Sequence, residues 1–316
     1  MRLILAVLTA ATCLAWASPA LAIAPSKVSH DAAEDLTIFR VGSAPADMTA
    51  LEVHFPASPF DGIAFTDTGN PLVSSGACEP LAPATCPYGP MEIRLGPLAD
   101  RARVFTATFS NRATILGGAG DDRISAAAIF EDVRGGLGDD LIKASTRGGE
   151  IQGGGGDDSL YGREFAQLNG GDGNDLMLSD SSLAGMEGGD GYDVLIRGSG
   201  FDAGGPMSGG EDDDVLGFEP TSEAFALTMT GGPGHDSIHG GIGPNEISGG
   251  AGNEEIWTFG GDVDTINCGG GFDVVYADAT DTVASNCERV TLDAGPADPR
   301  LERALVRTQA LRAATI

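Results

Sequence analysis

The sequence predicts an all-β protein built as a repeating solenoid, and two observations carry this prediction. A nine-residue pattern, G-G-x-G-x-D-x-U-x with U a large apolar residue, recurs along the chain, mostly at about 18-residue intervals. Gly accounts for 48 of the 316 residues and aromatic residues for only 6%, which is unlike the composition of an ordinary globular core. Close copies open at Gly117, Gly135, Gly153, Gly170, Gly188, Gly231 and Gly249, and looser ones at Gly209, Gly240 and Cys268.

The apolar place of the pattern predicts the core of this solenoid. An inward position in a stack of short strands must be apolar in every coil. Each copy meets this condition, with Ile124, Ile142, Leu160, Met177, Leu195, Leu216, Ile238, Ile247, Ile256 and Val275. The glycines at the second and fourth places provide the positive φ angles that a tight corner needs.

These nonapeptides resemble the repeats of the RTX family, also called hemolysin-type calcium-binding repeats, of secreted bacterial proteins. The resemblance covers about residues 117–290. It implies a right-handed parallel β-roll in which two nonapeptides complete one coil, and it implies Ca²⁺ as the cofactor. The predicted fold class is therefore an all-β, right-handed parallel β-roll with an N-terminal β cap and a short C-terminal tail.

The sixth place of each repeat is the expected calcium ligand. Ca²⁺ takes six to eight oxygen atoms, and parallel strands stack about 4.8 Å apart, so two neighbouring loops face one ion. The candidate acidic ligands are Asp122, Asp140, Asp158, Asp175, Asp193, Asp214, Asp236 and Glu254. The resemblance implies that backbone carbonyl groups near Gly118, Gly120, Gly136, Gly138, Gly154, Gly156, Gly171 and Gly173 complete the shells. The alternative is that these carboxylates serve only as turn residues.

The half-coils between the close copies predict a one-sided ladder of ions. Residues 126–134, 144–152, 162–169 and 179–187 keep an apolar residue near their eighth place but lack the Gly-rich loop. One edge of the roll is therefore expected to carry the metal loops and the opposite edge mostly not. Two longer half-coils, 197–208 and 218–230, are expected to bulge from the metal-free edge.

The first 22 residues have the pattern of a secretory signal peptide. Met1 and Arg2 precede an apolar run over residues 3–16 and a small-x-small site at Ala20 and Ala22, which is typical of a cleaved leader. A membrane anchor is the alternative, but the run is short for a span. We therefore predict a secreted, extracellular protein with no membrane span in the mature chain.

The remaining chain divides into three predicted parts. Residues 23–112 read as an N-terminal β-rich cap, with a small separate β domain as the alternative. Residues 113–290 form the calcium-binding roll. Residues 291–316 form a C-terminal tail or a capping helix, in which Arg300, Arg303, Arg307 and Arg312 lie among apolar residues.

Four cysteines remain after the leader, and an even number in an exported chain suggests disulfides. Three pairings are open, and proximity in sequence favours Cys78–Cys86 and Cys268–Cys287. Reduced, buried thiols are the alternative.

The function predicted from these features is a secreted calcium-binding protein, acting as a structural or surface-associated binding module. The expected partners are calcium ions and a cell-surface glycan or protein, and the expected state is a monomer. The net charge of −28 argues against nucleic acid, which demands basic surfaces.

An enzyme is the alternative function, namely a secreted polysaccharide-acting enzyme or other hydrolase. His235 and His239 resemble the zinc motif H-E-x-x-H with Asp in place of Glu, but that motif needs a helix, and here it lies in a β repeat. The sequence also lacks the G-x-S-x-G pattern of serine hydrolases. No catalytic residue is therefore assigned, and the residues favour a binding module over an enzyme.

Overall fold

The computed structural model describes residues 26–31, 36–40, 50–54, 63–67, 72–75, 84–86, 91–97, 99–105, 113–181, 185–198, 204–219, 226–258 and 260–314. Its strands are β1 (Ser26–Asp31), β2 (Leu36–Arg40), β3 (Ala50–His54), β4 (Ile63–Asp67), β5 (Leu72–Ser75), β6 (Ala84–Cys86), β7 (Met91–Arg94), β8 (Arg101–Phe105), β9 (Ala113–Ala119), β10 (Arg123–Leu137), β11 (Leu141–Gly155), β12 (Ser159–Glu164), β13 (Gln167–Asp172), β14 (Leu176–Ser181), β15 (Met186–Asp190), β16 (Val194–Arg197), β17 (Met207–Glu211), β18 (Val215–Phe218), β19 (Leu227–Gly234), β20 (Ser237–His239), β21 (Asn245–Gly252), β22 (Glu255–Trp257), β23 (Thr265–Gly271), β24 (Val274–Tyr276), β25 (Thr282–Val283) and β26 (Arg289–Thr291). One helix, α1 (Pro299–Ala313), follows them.

The strands form a parallel β-solenoid of about nine turns, so the predicted fold class is confirmed. Each coil contributes one strand to each of two parallel sheets. The first sheet contains the strands that lead into the Gly-rich loops, such as β13, β15 and β17, and the second contains the strands that leave them, such as β12, β14 and β16. Because β12 pairs with β14 and β13 with β15, equivalent residues of successive coils stack in register.

The core is a double column of apolar side chains between the two sheets. All ten predicted inward residues are fully or almost fully buried, from Ile124 at one end to Val275 at the other. The apolar residues predicted for the half-coils between the repeats form the facing column, with Val133, Ile151 and Leu168 each at most 2% exposed. One inward residue per half-coil therefore provides the two central columns of the core, beside further buried residues such as Ala126 and Ala144.

The N-terminal strands pair in both directions. Strand β2 pairs in parallel with β7, and β3 with β8, which places them on strands that stack on β9 and β10. Strands β1 and β2, β3 and β4, and β4 and β6 are antiparallel pairs. The division of the chain at residue 112, and the role of residues 23–112 as a cap, stay predictions.

The closing coil is held by a disulfide between Cys268 and Cys287, so this predicted pairing is confirmed. Cys268 is buried in the core, and the bond closes a loop over a sequence separation of 19. Cys78, a member of the other predicted pair, lies outside the described residues, as do the predicted leader and the tips of the two long half-coils at 199–203 and 220–225.

The end of the chain is a helix, and of the two alternatives left open this one is correct. Asp298 caps its N-terminus, where the carboxylate accepts the N–H of Arg300, and Pro299 occupies the first turn. The helix does not cap the last coil, however. It packs along the outer face of β12, β14, β16 and β18, because the side chains there that point away from the core are apolar as well, including Leu178 and Ile196.

The stacking of coils limits which loop positions tolerate a side chain. Gly154 has φ +124°, and a Cβ atom there would overlap the carbonyl oxygen of Gly136 in the preceding coil. Gly155 beside it has no positive φ, and its nearest neighbour would be Leu137 Cδ2 at 3.4 Å.

We expect Gly154→Ala to lower the free energy of unfolding by about 2–4 kcal/mol, because it combines a strained φ with a backbone clash. Gly155→Ala is the matched control and should change it by less than about 1 kcal/mol. Urea denaturation of both variants in calcium measures the difference. Equal losses in the two variants would contradict the stacking described for the loops.

Candidate metal centre

The candidate metal centre is a row of buried carboxylates along one edge of the solenoid, at the points where the chain passes from the first sheet to the second. The sixth residue of each loop lies directly before a strand of the second sheet, as Asp158 does before β12. Its side chain turns inward under the loop. The predicted ligands Asp122, Asp140, Asp158, Asp175, Asp193, Asp214, Asp236 and Glu254 are all at most 2% exposed.

One oxygen of each carboxylate links neighbouring coils. Oδ1 of Asp158 accepts the backbone N–H of Asp140 at 2.8 Å, and Oδ1 of Asp175 accepts that of Asp158 at 2.8 Å. The same bond joins every successive pair from Asp122 to Asp236, with lengths of 2.7–2.9 Å. These bonds fix the carboxylate orientation, so the second oxygen of every residue points to an equivalent place.

The second oxygen has no protein partner. Oδ2 of Asp122, Asp140, Asp158, Asp175, Asp193, Asp214 and Asp236 is buried without a hydrogen bond, and so are both Oε atoms of Glu254. A buried polar atom without a partner is costly, and a buried charge more so. A row of such atoms at one repeating position therefore fits a bound cation, which is the ligand that carboxylate oxygens accept.

Backbone oxygen lies next to each of these atoms. A Cβ built on Gly153 would meet Oδ2 of Asp158 on one side and the carbonyl oxygen of Gly170, 2.6 Å away, on the other. The first glycines of the close copies at Gly117, Gly135, Gly170, Gly188 and Gly231 are in the same situation. At Gly249 the neighbours are the carbonyl oxygen of Cys268 and Cγ of Glu254. The first place of the repeat must therefore be Gly so that a carboxylate oxygen and a carbonyl oxygen of the next coil can share this space.

In the absence of a cation, burial raises the pKa values of these carboxylates, so their ionisation is unfavourable. Burial raises the pKa of Asp158 to about 8, with the neighbouring carboxylates Asp175 and Asp140 adding to the shift and the N–H of Asp140 opposing it. Burial likewise raises the pKa of Asp122 to about 8 and that of Asp214 to about 9. Burial raises the pKa of Asp140, Asp175 and Asp236 less, to about 6. At neutral pH the row is therefore partly ionised, and a positive ion would offset this buried charge.

Side chains alone do not form a metal site among the described residues. In the part of the chain that the structure describes, no group of three or more His, Cys, Asp or Glu side chains could hold a metal. Each gap between coils offers carboxylate and carbonyl oxygens, which are the ligands of hard cations such as Ca²⁺ and not of zinc or copper.

The comparisons with known proteins agree with this chemistry. Residues 113–128 and 230–258 match the family model of the RTX calcium-binding nonapeptide repeat, in four copies. The chain carries RTX calcium-binding repeats. Their ion is Ca²⁺. No curated protein and no solved structure matches the chain.

The RTX loops have the predicted backbone. The glycines expected to offer carbonyl groups, Gly118, Gly120, Gly136, Gly138, Gly154, Gly156, Gly171 and Gly173, all have φ between +100° and +126°. In the looser copy at Gly209, Asp212 replaces the fourth glycine and takes φ +73°. The row of carboxylates continues through this loop, because the backbone N–H of Asp214 still donates to Oδ1 of Asp236 at 2.9 Å.

The edge expected mostly to lack metal loops carries a short second row near the C-terminal end of the roll, and the one-sided calcium ladder stays a prediction. On the opposite edge, the backbone N–H of Asn245 donates to Oδ1 of Asp264 at 2.6 Å. The backbone N–H of Asp264 in turn donates to Oδ1 of Asp281 at 3.0 Å. Asp264 is fully buried, and its Oδ2 has no partner. Asn245 is the sixth residue of the looser copy at Gly240, whereas Asp264 and Asp281 follow loops that lack the glycine pattern and gave no such signal.

The row on the main edge also extends beyond the predicted repeats. Asp100 donates its N–H to Oδ1 of Asp122 at 2.7 Å, and its own Oδ2 accepts the N–H of Gly96 at 2.7 Å. The loop before Asp100 lacks the repeat, so the only sequence signal was the spacing of 22 residues to Asp122. At the other end, the backbone N–H of Glu254 donates to Oδ1 of Asp273, the sixth residue of the looser copy at Cys268, and the N–H of Asp273 donates to Oε2 of Glu288 beyond it.

A second, exposed ladder runs beside the buried one. Oδ1 of Asp139 accepts the N–H of Asp157 at 2.9 Å, and Oδ1 of Asp157 accepts that of Asn174 at 2.8 Å. Asn174 in turn accepts the N–H of Tyr192 at 3.0 Å. The fifth place of the repeat thus links each coil to the following one, and either Asp or Asn serves there.

The two histidines of the zinc-like motif are separated by the fold. His235 lies on the exposed ladder, where its Nδ1 accepts the N–H of Asn253 at 2.8 Å. His239 lies at the end of β20, where Nε2 contacts both Asp298 Oδ2 and Ser237 Oγ. Because Ser237 and Asp298 meet the same ring nitrogen, the three side chains do not form a nucleophile–base–acid relay.

The raised pKa values predict how pH affects the calcium-free protein. Asp158 has a pKa of about 8 in the fold and an ordinary value of 3.8, so the metal-free fold binds more protons than the unfolded chain between these values. Its stability is therefore greatest at low pH and falls as pH rises through about 8.

We expect the calcium-free chain to show β-sheet circular dichroism near pH 5 and to lose it by about pH 8 to 9. The same titration in saturating calcium is the control, and there the signal should persist. A calcium-free fold that becomes more stable with rising pH would contradict the protonation described for the row.

Proposed function

We propose that the chain is a secreted calcium-binding protein whose solenoid folds around Ca²⁺ ions held between stacked loops. The observation that carries this proposal is the row of buried Oδ2 atoms without a partner, one in each coil from Asp122 to Asp236. The RTX repeats support calcium as the ion and a structural calcium-binding module as its use.

The proposed ligands come from adjacent coils. In the gap between the loops at Gly153 and Gly170, for example, the carboxylate of Asp158 and the carbonyl of Gly170 already lie close together. Further carbonyl groups, near Gly154 and Gly156, would complete the six to eight oxygens that calcium takes. The sixth-place carboxylates and the glycine carbonyls predicted from the sequence are thus proposed as the ligands at the other gaps as well.

Calcium would act mainly on folding. Carboxylates stacked one coil apart repel one another when ionised, and burial adds to the cost. A bound ion offsets both terms, and because the site does not exist in the unfolded chain, the free energy of binding contributes to folding. Extracellular calcium modules commonly bind at about 10⁻⁴ to 10⁻³ M, so we propose that folding follows the calcium concentration outside the cell.

The cellular setting and the partner are parts of the same proposal. The leader pattern at residues 1–22 and the general association of RTX repeats with bacterial secretion support an extracellular location. Among the described residues, no helix is long and apolar enough to cross a membrane. We propose a surface-associated binding module that contacts a cell-surface glycan or protein, with a monomeric chain as the acting unit.

The alternative of a polysaccharide-acting enzyme has no specific observation in its favour. Such an enzyme would present a line of exposed aromatic residues beside free carboxylates. The chain has an aromatic row, in which His239 stacks on Trp257 and Trp257 on Tyr276 with ring centroids 4.3 and 5.4 Å apart. Trp257, however, is only 8% exposed, so this row supports packing.

Replacing one buried carboxylate oxygen that lacks a hydrogen-bond partner tests the proposed role of these oxygens as calcium ligands. Asp158→Asn keeps an Oδ1 that can accept the N–H of Asp140 and replaces the unpartnered oxygen with an amide nitrogen. We expect calcium binding at the adjacent gaps to weaken by about one order of magnitude or more, because the site loses a charged ligand. Isothermal titration calorimetry, with circular dichroism for folding, measures the effect.

Asp157→Asn is the matched control, since it makes the same chemical change at the neighbouring residue. Its side chain lies on the exposed ladder, where Asn174 already makes the equivalent bond, so calcium affinity should stay within about twofold of the original. Equal losses in both variants would show that bulk charge and not a specific ligand governs binding.

A further inference from the structure

The C-terminal segment 293–314, here called the strap, runs back along the outside of the solenoid. It begins over the last coils, where Gly295 packs on the ring of Tyr276. Asp298 then contacts Ser237 and His239. Helix α1 passes over β18, β16, β14 and β12. At its far end, Lys143 Nζ donates to the carbonyl oxygens of Arg312 and Ala314, both at 2.8 Å.

The strap lies on one column of outward residues, one from each coil of the second sheet. The column consists of Lys143, Tyr161, Leu178, Ile196, Gly217, His239, Trp257 and Tyr276. The residue types of the column match the parts of the strap that cover them. Gly217 leaves space for Leu301, since a Cβ there would be 2.8 Å from Leu301 Cδ1. One continuous segment therefore contacts the coils from β11 to β24.

The strap covers an apolar part of the column, and arginines near the two ends of its helix form ion pairs with the solenoid. Leu178 and Ile196 of the column, together with the neighbouring Val215, are fully buried in a cluster with Ala304 and Leu311 of the helix, outside the main core. Arg312 forms ion pairs with Asp180 and, at 2.7 Å, with Glu219. Arg300 pairs with Glu255 at 2.7 Å. The strap is thus bound specifically to several coils at once.

The column is tied to the calcium row by a constant spacing. Each column residue follows the sixth-place acidic residue of its coil by three positions, as Tyr161 follows Asp158, Ile196 follows Asp193 and Trp257 follows Glu254. The intervening residues belong to short strands whose first N–H bonds to the neighbouring coil, for example Leu176 N to Asp158 O at 2.8 Å. Whatever sets the spacing of the carboxylates therefore also sets the spacing of the surface on which the strap docks.

We propose that the strap is a calcium-coupled clasp. It docks only when the coils are stacked in register by calcium, and by spanning many coils it makes the occupancy of distant sites cooperative. When calcium is withdrawn the column is lost and the strap is released. This inference rests on the proposed function, and it adds a coupling that nearest-neighbour contacts of a solenoid do not provide.

A pair of helix variants tests the clasp. Ala304→Glu places a carboxylate against the buried cluster, because Ala304 is 2% exposed. Ala310→Glu makes the same substitution on the exposed face of the same helix. Calcium titrations are followed by the β-sheet circular dichroism of the roll, and strap docking by hydrogen exchange of residues 300–314.

In the unmodified chain, we expect strap protection and the β-sheet circular dichroism of the roll to appear at the same calcium concentration. Ala304→Glu should leave the strap unprotected, raise the midpoint about 2–5-fold and reduce the Hill coefficient, because the docked state no longer adds to binding. Ala310→Glu should behave as the unmodified chain. If Ala304→Glu fails to fold, the coincidence of the two signals in the unmodified chain still tests the clasp.

Two outcomes would overturn the inference. The strap could be protected without calcium at about pH 9, where the calcium-free roll is expected to be unfolded, or Ala304→Glu could free the strap and leave the titration unchanged. Either result would leave the proposed function standing, since calcium would still bind. A complete lack of calcium response in the unmodified chain would instead contradict the proposed function itself.

Discussion

The structure depends on one constraint, namely that a carboxylate oxygen in each coil is buried with no hydrogen-bond donor of the protein within reach. Asp158 illustrates it, because Oδ1 is bonded to the N–H of Asp140 while Oδ2 faces a space shared with the carbonyl of Gly170. Each additional coil repeats the same unfavourable atom. Each such oxygen must therefore be neutralised by a proton or by a positive ion between the loops, and an ion does so even at pH values where the carboxylates have lost their protons.

The other features of the solenoid follow from this constraint. The first glycine of each repeat leaves room for the two oxygens, and the second and fourth provide positive φ angles, so the loops stack with their carbonyl groups in line. The exposed ladder through Asp139 and Asp157 holds the loops in register from outside. The inward apolar residues contribute the remaining stability, with a column of small and medium aliphatic side chains in place of a globular core.

Much of this could be predicted from the sequence because the repeat encodes it locally. The place of Leu160 or Asp158 in the nonapeptide determines its direction, since the coil geometry is the same in each copy. Local pattern could not predict two features, namely the short row at Asn245, Asp264 and Asp281 and the extra rung at Asp100. The loops before Asp100, Asp264 and Asp281 lack the nonapeptide pattern, and only the register of neighbouring coils creates these contacts. The position of α1 depends on contacts between residues more than 100 apart in sequence, such as Lys143 with Arg312. A signal existed nevertheless, because Leu178 and Ile196 are apolar at an outward place where a solvated solenoid would carry polar residues.

The central claim is that cations occupy the spaces beside the orphan oxygens, and anomalous X-ray diffraction from crystals grown in calcium tests it most directly. The account predicts a line of anomalous peaks along the loop edge, one between each pair of successive coils from Asp122 to Asp236, each about 2.3–2.6 Å from an Oδ2 atom. Oδ2 atoms that instead contact only water or protein donors, with no anomalous signal between the loops, would contradict it.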